Sequence, residues 1–150
     1  MIFEIFALFV DMNGEIILNL GTLKELDTVV AEIRGHLKYP LILFVGDLGA
    51  GKTTVIKELL VQMGCHDIGS SPSYSIINEY ESDLGPIYHI DLYRINSAEE
   101  TFALGIEEIM YSGKPCFIEW PEIIKDYIDE DCHILKISIK ENNQREIRFS

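Results

Sequence analysis

At 150 residues, 47% hydrophobic and 25% charged, the chain has ordinary globular composition and the length of one domain with a sizeable core. A formal net charge of −13 disfavours sequence-independent gripping of nucleic acid, which needs clustered Lys and Arg. Cys65, Cys116 and Cys132 stand apart without a C-x-x-C pair or a secretion signal, so the expectation is reduced thiols in the cytoplasm. The four histidines show no zinc-ligand spacing.

In chain order, Met1–Val10 is apolar, interrupted by Glu4 and followed by Asp11. It is too short to span a bilayer and lacks the positive start of a signal peptide. Either Met12 is the physiological start, or these residues form an edge strand or a mobile arm. Glu15–Leu20 alternates weakly and reads as a strand. Thr22-Leu23-Lys24-Glu25 has capping-box form, and Leu23, Leu26, Val30, Ile33 and Leu37 fall on one face of the helix that follows, which stops before Pro40. Leu41–Val45 is a short, apolar, β-prone run.

Gly46-Asp47-Leu48-Gly49-Ala50-Gly51-Lys52-Thr53-Thr54 comes next and reads G-x-x-x-x-G-K-T, the phosphate-binding loop. After it Val55, Ile56, Leu59, Leu60 and Met63 share a helical face, with Gly64 placed to end the helix. Strand, glycine loop and helix together turn the pattern into a structural claim. Backbone N–H groups must turn inward on an anion, which a Gly-rich backbone does without Cβ clashes, and the helix N-terminus adds partial positive charge. Lys52 would reach the β/γ-phosphates and the Thr53 hydroxyl would take a place on Mg²⁺. With glycine near 7% of residues, lysine about 6% and Ser/Thr about 12%, chance places the four fixed positions in roughly 0.5% of chains this long. The loop predicts a bound nucleoside phosphate.

Gly69–Tyr74 is polar and turn-rich. Ser75–Tyr80 and Pro86–Asp91 are β-like runs joined across Glu81–Gly85, a hairpin pattern. Ser97-Ala98-Glu99-Glu100 is a second capping box, opening a short helix that ends at Gly105, and Ile106–Tyr111 adds another turn or two. Pro115–Ile118 is a buried-type strand ending at Glu119-Trp120, with a short helix from Pro121. His133–Ile139 and Glu146–Phe149 form a second hairpin across Glu141–Gln144. The pattern predicts an α/β, P-loop NTPase-like three-layer fold over residues 1–150. Its mixed sheet has parallel core strands and antiparallel hairpins, with helices on both faces.

A P-loop enzyme needs a carboxylate at a neighbouring strand end, to hold Mg²⁺ directly or through water and to orient the attacking water. Asp91 ends P-I-Y-H-I and Glu119 ends P-C-F-I. Either acid alone would read as a helix cap; beside a P-loop they become candidates. Ser71-Pro72-Ser73 offers two hydroxyls where nucleotide-sensing segments lie, though it is also an ordinary surface turn. Arg94 could contact phosphate or pair with a local acid. His89 reads as strand packing and Trp120, the sole tryptophan, as core. Residues 95–131 hold ten acidic groups against Lys114 and Lys125, either a solvated face or a surface for a basic partner.

The order G-D-L-G-A-G-K-T-T, S-S-P-S-Y-S-I-I-N-E-Y, Y-H-I-D-L-Y-R, E-W-P-E resembles the TsaE (YjeE) family, bacterial P-loop ATPases needed for threonylcarbamoyladenosine in tRNA. The resemblance runs from about residue 16 to residue 149, with Ser73 where the family has Thr, and residues 1–12 have no counterpart. It implies binding and slow hydrolysis of ATP with Mg²⁺, and action on the TsaB and TsaD proteins, which perform the transfer. By the same resemblance Leu48–Thr54 would cradle the phosphates, with Asp47 at the loop's start. Thr53 and Glu119 would be Mg²⁺ ligands, and Asp91 a second essential acid near metal or water. Ser71-Pro72-Ser73 would be switch-like, and Trp120 would lie near the nucleotide. Thr22 and the late hairpin around Gln144 would touch base or ribose, in competition with the reading of Thr22 as a helix cap. An acidic protein could then dock on TsaB–TsaD where tRNA binds, and compete with it.

Two rivals remain. A small-metabolite or nucleotide kinase needs an arginine-rich lid, and this chain has only Arg34, Arg94, Arg145 and Arg148. A non-catalytic, nucleotide-gated binding module would share the loop and hydrolyse little. No N-K-x-D segment supports a GTPase.

Overall fold

The computed structural model describes residues 8–70, 74–129 and 131–150, which form one eight-stranded mixed sheet. The strands are β1 (Phe9–Val10), β2 (Ile16–Leu20), β3 (Leu41–Val45), β4 (Ile77–Ser82), β5 (Gly85–Asp91), β6 (Cys116–Glu119), β7 (His133–Ile139) and β8 (Arg145–Phe149). Their order across the sheet is β1-β2-β8-β7-β3-β6-β5-β4. β3 runs parallel to both neighbours, β6 and β7, and β6 runs parallel to β5. The flanking pairs β4–β5, β7–β8, β2–β8 and β1–β2 are antiparallel. The mixed sheet predicted from the run pattern is therefore present, and the N-terminal apolar run supplies an edge strand at Phe9–Val10. The rest of that prediction, residues 1–7, lies outside the described residues.

Side-chain alternation divides the sheet into two faces. Leu18, Ile42, Phe44, Phe117, Leu135 and Ile147 pack on one face against helices α1 (Leu26–Gly35) and α2 (Lys52–Gln62). Leu41, Leu43, Ile90, Cys116 and Ile118 pack on the other, against α3 (Ala98–Ala103), α4 (Ile106–Met110) and the 3-10 turns of Pro121–Tyr127. Helices thus lie on both faces of the parallel centre. On the β2–β8–β7 wing the face opposite α1 carries Lys136, Glu146 and Arg148, with Ile134 exposed.

Both capping sites are used, the second with the Glu100 carboxylate on the Asn96 amide at 3.2 Å, and they start different structures. Ser97 Oγ accepts from the Glu100 amide at 3.1 Å and α3 follows directly. At the first, the Glu25 carboxylate accepts from Thr22 N at 3.3 Å and Gly21 N at 2.8 Å, and a 3-10 turn, Leu23–Glu25, intervenes before α1. That turn rotates Leu23 off the predicted apolar face: it is 73% exposed, and Val29 is buried on the face instead.

Candidate functional site

β3 lies between parallel strands, so the loop at its carboxyl end has strand ends on both sides. The loop's glycines serve two purposes. A Cβ at Gly46 would sit 2.5 Å from the Ile137 carbonyl oxygen, so Gly46 lets the loop leave against β7. Gly49 (φ +80°) and Gly51 (φ +110°) would place a Cβ near no atom, and are needed for their left-handed backbone. α2 then begins at Lys52. The Lys52 ammonium is buried. It donates to the carbonyls of Gly46 and Asp47, the latter at 3.0 Å, and lies 4.0 Å from the centroid of the Trp120 ring. Burial pulls its pKa below the ordinary lysine value, while Glu119, Glu122, Asp91 and Asp47 pull the other way.

The first wall of the site comes from β5 and β6. Their register sets Asp91 beside Glu119, on the face that α2 covers. Glu119 is buried and accepts two hydrogen bonds. Thr53 Oγ1, on the first turn of α2, donates to Oε1 at 2.9 Å, and His89 Nε2 lies 2.7 Å from Oε2. Burial pushes the Glu119 carboxyl up. The hydrogen bond and charge of His89, the Thr53 hydroxyl and Lys52 outweigh that, and the net shift is below the usual carboxylate range. Asp91 is half-buried and accepts from the Tyr93 amide at 3.0 Å. Trp120 follows Glu119 with φ +57°, a left-handed backbone unusual for a bulky residue. Its ring packs 5.0 Å from that of Tyr93, half-buried at the mouth of the site rather than in the core. Lys52, Thr53, Asp91, Tyr93, Glu119 and Trp120 line a cavity of about 260 Å³ on this side.

The second wall comes from the chain's two ends. β2 runs antiparallel to β8 with Leu20 opposite Arg145, so the exit of one strand and the entry of the other meet beside the loop. Thr22, Leu23, Asn143 and Arg145 line a cavity of about 330 Å³ together with Gly49 and Thr54. Arg145 Nε reaches the Ala50 carbonyl at 3.4 Å. Asn142 and Asn143 both have positive φ in the turn that presents this wall.

Of the residues singled out in the sequence, Lys52, Thr53, Asp91, Glu119 and Trp120 converge on the first cavity and Thr22 faces the second. Asp47 lines a smaller cavity with Trp120 and Glu122. Ser71-Pro72-Ser73 lies outside the described residues. Arg94 is exposed and shares a small cavity with Asp91 and Tyr74. Sequence reasoning missed His89 and Arg145. His89 had a signal, its place two residues before Asp91 on the same strand face. Arg145 had none in the residues themselves, because nothing local ties the last hairpin to the loop; only the family resemblance brings the hairpin around Gln144 near base or ribose.

Comparison with known proteins gives relatives in sequence and in fold. The family model for threonylcarbamoyl adenosine biosynthesis protein TsaE matches residues 20–147. The tRNA threonylcarbamoyladenosine biosynthesis protein TsaE of Bacillus subtilis is 35% identical over 105 residues, covering 70% of this chain and 65% of that protein. The chain thus spans just under two thirds of that relative's length. The TsaE of Rickettsia typhi is 38% identical over 106 residues, covering 70% of this chain and 73% of its own. Among solved structures, Bacillus subtilis YdiB superposes with a TM-score of 0.71 at 26% identity, covering 90% of this chain and 84% of that one.

Proposed function

The chain belongs to the TsaE family, and on that premise we propose that it is a Mg²⁺-dependent ATPase of tRNA threonylcarbamoyladenosine biosynthesis, acting on a TsaB–TsaD complex rather than transferring the group itself. The observation that carries the reading is the Thr53–Glu119 contact of 2.9 Å at the mouth of the glycine loop, with Asp91 in register beside it. Among the described residues no three His, Cys, Asp or Glu side chains gather into a protein-only metal cage. That suits Mg²⁺, which keeps waters and is held by one or two carboxylates plus substrate phosphates. Thr53 and Glu119 would hold it, with Asp91 adjacent. There the ion would neutralise charge developing on the phosphoryl oxygens.

The chain's own residues supply the rest. The amides of residues 48–54 at the N-terminus of α2 would receive the β-phosphate region. Lys52 would exchange its loop carbonyls for the β/γ-phosphate oxygens, where the surrounding acids oppose the effect of burial on its pKa. Asp91 is the acid free enough to accept a hydrogen bond from an attacking water. Thr22, Asn143 and Arg145 would take the base or ribose in the second cavity. Trp120 and Tyr93 would shield the phosphate end.

ATP turnover measured alone and with purified TsaB and TsaD tests the whole reading. Stimulation by the complex is expected. An unchanged rate points to a nucleotide-gated module, and label transferred from ATP to a small metabolite points to a kinase. Simultaneous binding of tRNA and this protein to the complex, with no mutual weakening, would remove the idea that the acidic residues 95–131 mark a surface competing with tRNA.

A further inference from the structure

His89 is a buried polar residue in the strand beneath the candidate site, and the apolar run around it, Ile87 and Ile90, gives no packing reason for an imidazole there. Its position is set by register: on β5 it pairs with Phe117, two residue pairs deeper than the Asp91–Glu119 pair and so on the same face. From there Nε2 meets Glu119 Oε2 at 2.7 Å, while Thr53 Oγ1 meets the other oxygen at 2.9 Å. A carboxylate only accepts, so Nε2 must carry the proton it shares.

The terminal torsion of a glutamate is broad and two-fold, and a carboxylate held on one oxygen alone can turn. Glu119 is held on both. Within the Mg²⁺-ATPase reading, on which this inference rests, we propose that His89 is a positioning residue that locks the Glu119 carboxylate with Oε1 presented toward Thr53. It acts through Glu119 and touches neither cation nor nucleotide. The arrangement parallels metal sites in which a partner behind the ligand fixes its orientation, where losing the partner costs about 10- to 100-fold in metal affinity or activity.

The test is ADP affinity measured by calorimetry across a Mg²⁺ series and in EDTA, for the wild type, His89→Leu, His89→Gln and His89→Asn. Glutamine places an amide N–H near the position of Nε2, whereas asparagine reaches only as far as Nδ1. The expected result is wild-type affinity for all four proteins in EDTA. The Mg²⁺ concentration at half effect should rise about 10- to 100-fold in His89→Leu and His89→Asn, and return most of the way in His89→Gln. An unshifted Mg²⁺ midpoint in His89→Leu overturns the proposal, as does equal loss of affinity with and without Mg²⁺, which marks a structural role. Should His89→Leu fail to fold, the Gln–Asn contrast decides alone, and equal midpoints in those two overturn it. A wild-type affinity indifferent to Mg²⁺ overturns the underlying ATPase reading, and this proposal with it.

Discussion

The two walls beside the glycine loop are built differently. On the β5–β6 side the groups are ionic and in mutual contact: Glu119 is buried between Thr53 and His89, with Lys52 and Asp91 close by. On the β2–β8 side they are neutral or singly cationic and lie along strand ends: the Leu20–Thr22 exit, Asn143, and Arg145 leaning on the Ala50 carbonyl. The first wall suits phosphate and cation, whose recognition needs charges fixed in a dry place. The second suits a flat, mostly apolar group with a few polar edges, as a nucleobase and sugar present. One loop thus meets two chemistries because parallel strands end on one side of it and an antiparallel pair on the other.

Substitutions on the ionic wall should show the largest effects. Glu119→Ala should retain some nucleotide binding and lose at least about 100-fold in Mg²⁺-dependent turnover, since a cation's contribution to phosphoryl chemistry is several kcal/mol and each 1.4 is about tenfold. Normal turnover in that variant would remove Glu119 from the mechanism. Lys52→Ala acts on binding itself. Losing one partner of a desolvated charge pair costs about 2–5 kcal/mol, so nucleotide affinity should fall by about 30-fold or more. Fluorescence of the sole tryptophan, Trp120, whose ring lies 4.0 Å from the Lys52 nitrogen, offers a direct binding signal.

The ionic wall was also the more legible of the two in the sequence. The loop announces itself by spacing, and Asp91 and Glu119 each stand where an apolar run stops, so strand logic brings both acids to the loop. What spacing did not convey was depth. Residue habit assigns His89 to packing and Trp120 to core, though the family resemblance sets Trp120 near the nucleotide; the register of β5 on β6 turns His89 onto Glu119. The left-handed turn at Trp120 swings its ring over Lys52. The residues alone hide the second wall for a topological reason, and only the family resemblance points to Thr22 and the hairpin around Gln144. Thr22 and Arg145 are 123 positions apart and meet only because β2 and β8 pair antiparallel, a long-range choice that local periodicity does not encode. Leu23 illustrates the same limit on a smaller scale. It fits a helical period, yet the 3-10 turn that precedes α1 exposes it beside the loop.

Arg145→Ala sharpens the contrast between the walls with a smaller, selective effect. If its guanidinium meets the base or ribose, ATP and ADP affinity should drop about fivefold, the worth of a partly exposed cation–π contact of about 1 kcal/mol. Affinity for inorganic tripolyphosphate should not change. Lys52→Ala, in contrast, should weaken both ligands alike. An equal loss for nucleotide and tripolyphosphate in Arg145→Ala would mean that Arg145 acts by bracing the loop through Ala50, and the second wall would no longer be a base site.

The smallest expected effect separates the second wall's chemistry from the strand that carries it. Glu146 follows Arg145 on β8 but points to the opposite face, where it accepts from Arg148 Nε at 2.8 Å and lies 3.4 Å from Lys140 Nζ. The Arg148 hydrogen bond, opposed by burial and aided by Lys140, holds its carboxyl below the usual carboxylate range. A folded-state pKa below the unfolded one means that the unfolded chain binds the proton more readily at mildly acidic pH. The stabilisation is therefore complete above the unfolded value and is lost as the pH falls through the folded one. Ion pairs this close to the surface are worth up to about 1 kcal/mol. At neutral pH Glu146→Gln should accordingly melt about 2–4 °C below the wild type, and the gap should close as the pH falls below the ordinary carboxylate pKa. Nucleotide affinity at neutral pH should stay unchanged, because the substitution lies across the sheet from both walls. A loss of ATP affinity in Glu146→Gln with tripolyphosphate affinity intact would show instead that the lie of β8, and not Arg145 alone, shapes the base side of the loop.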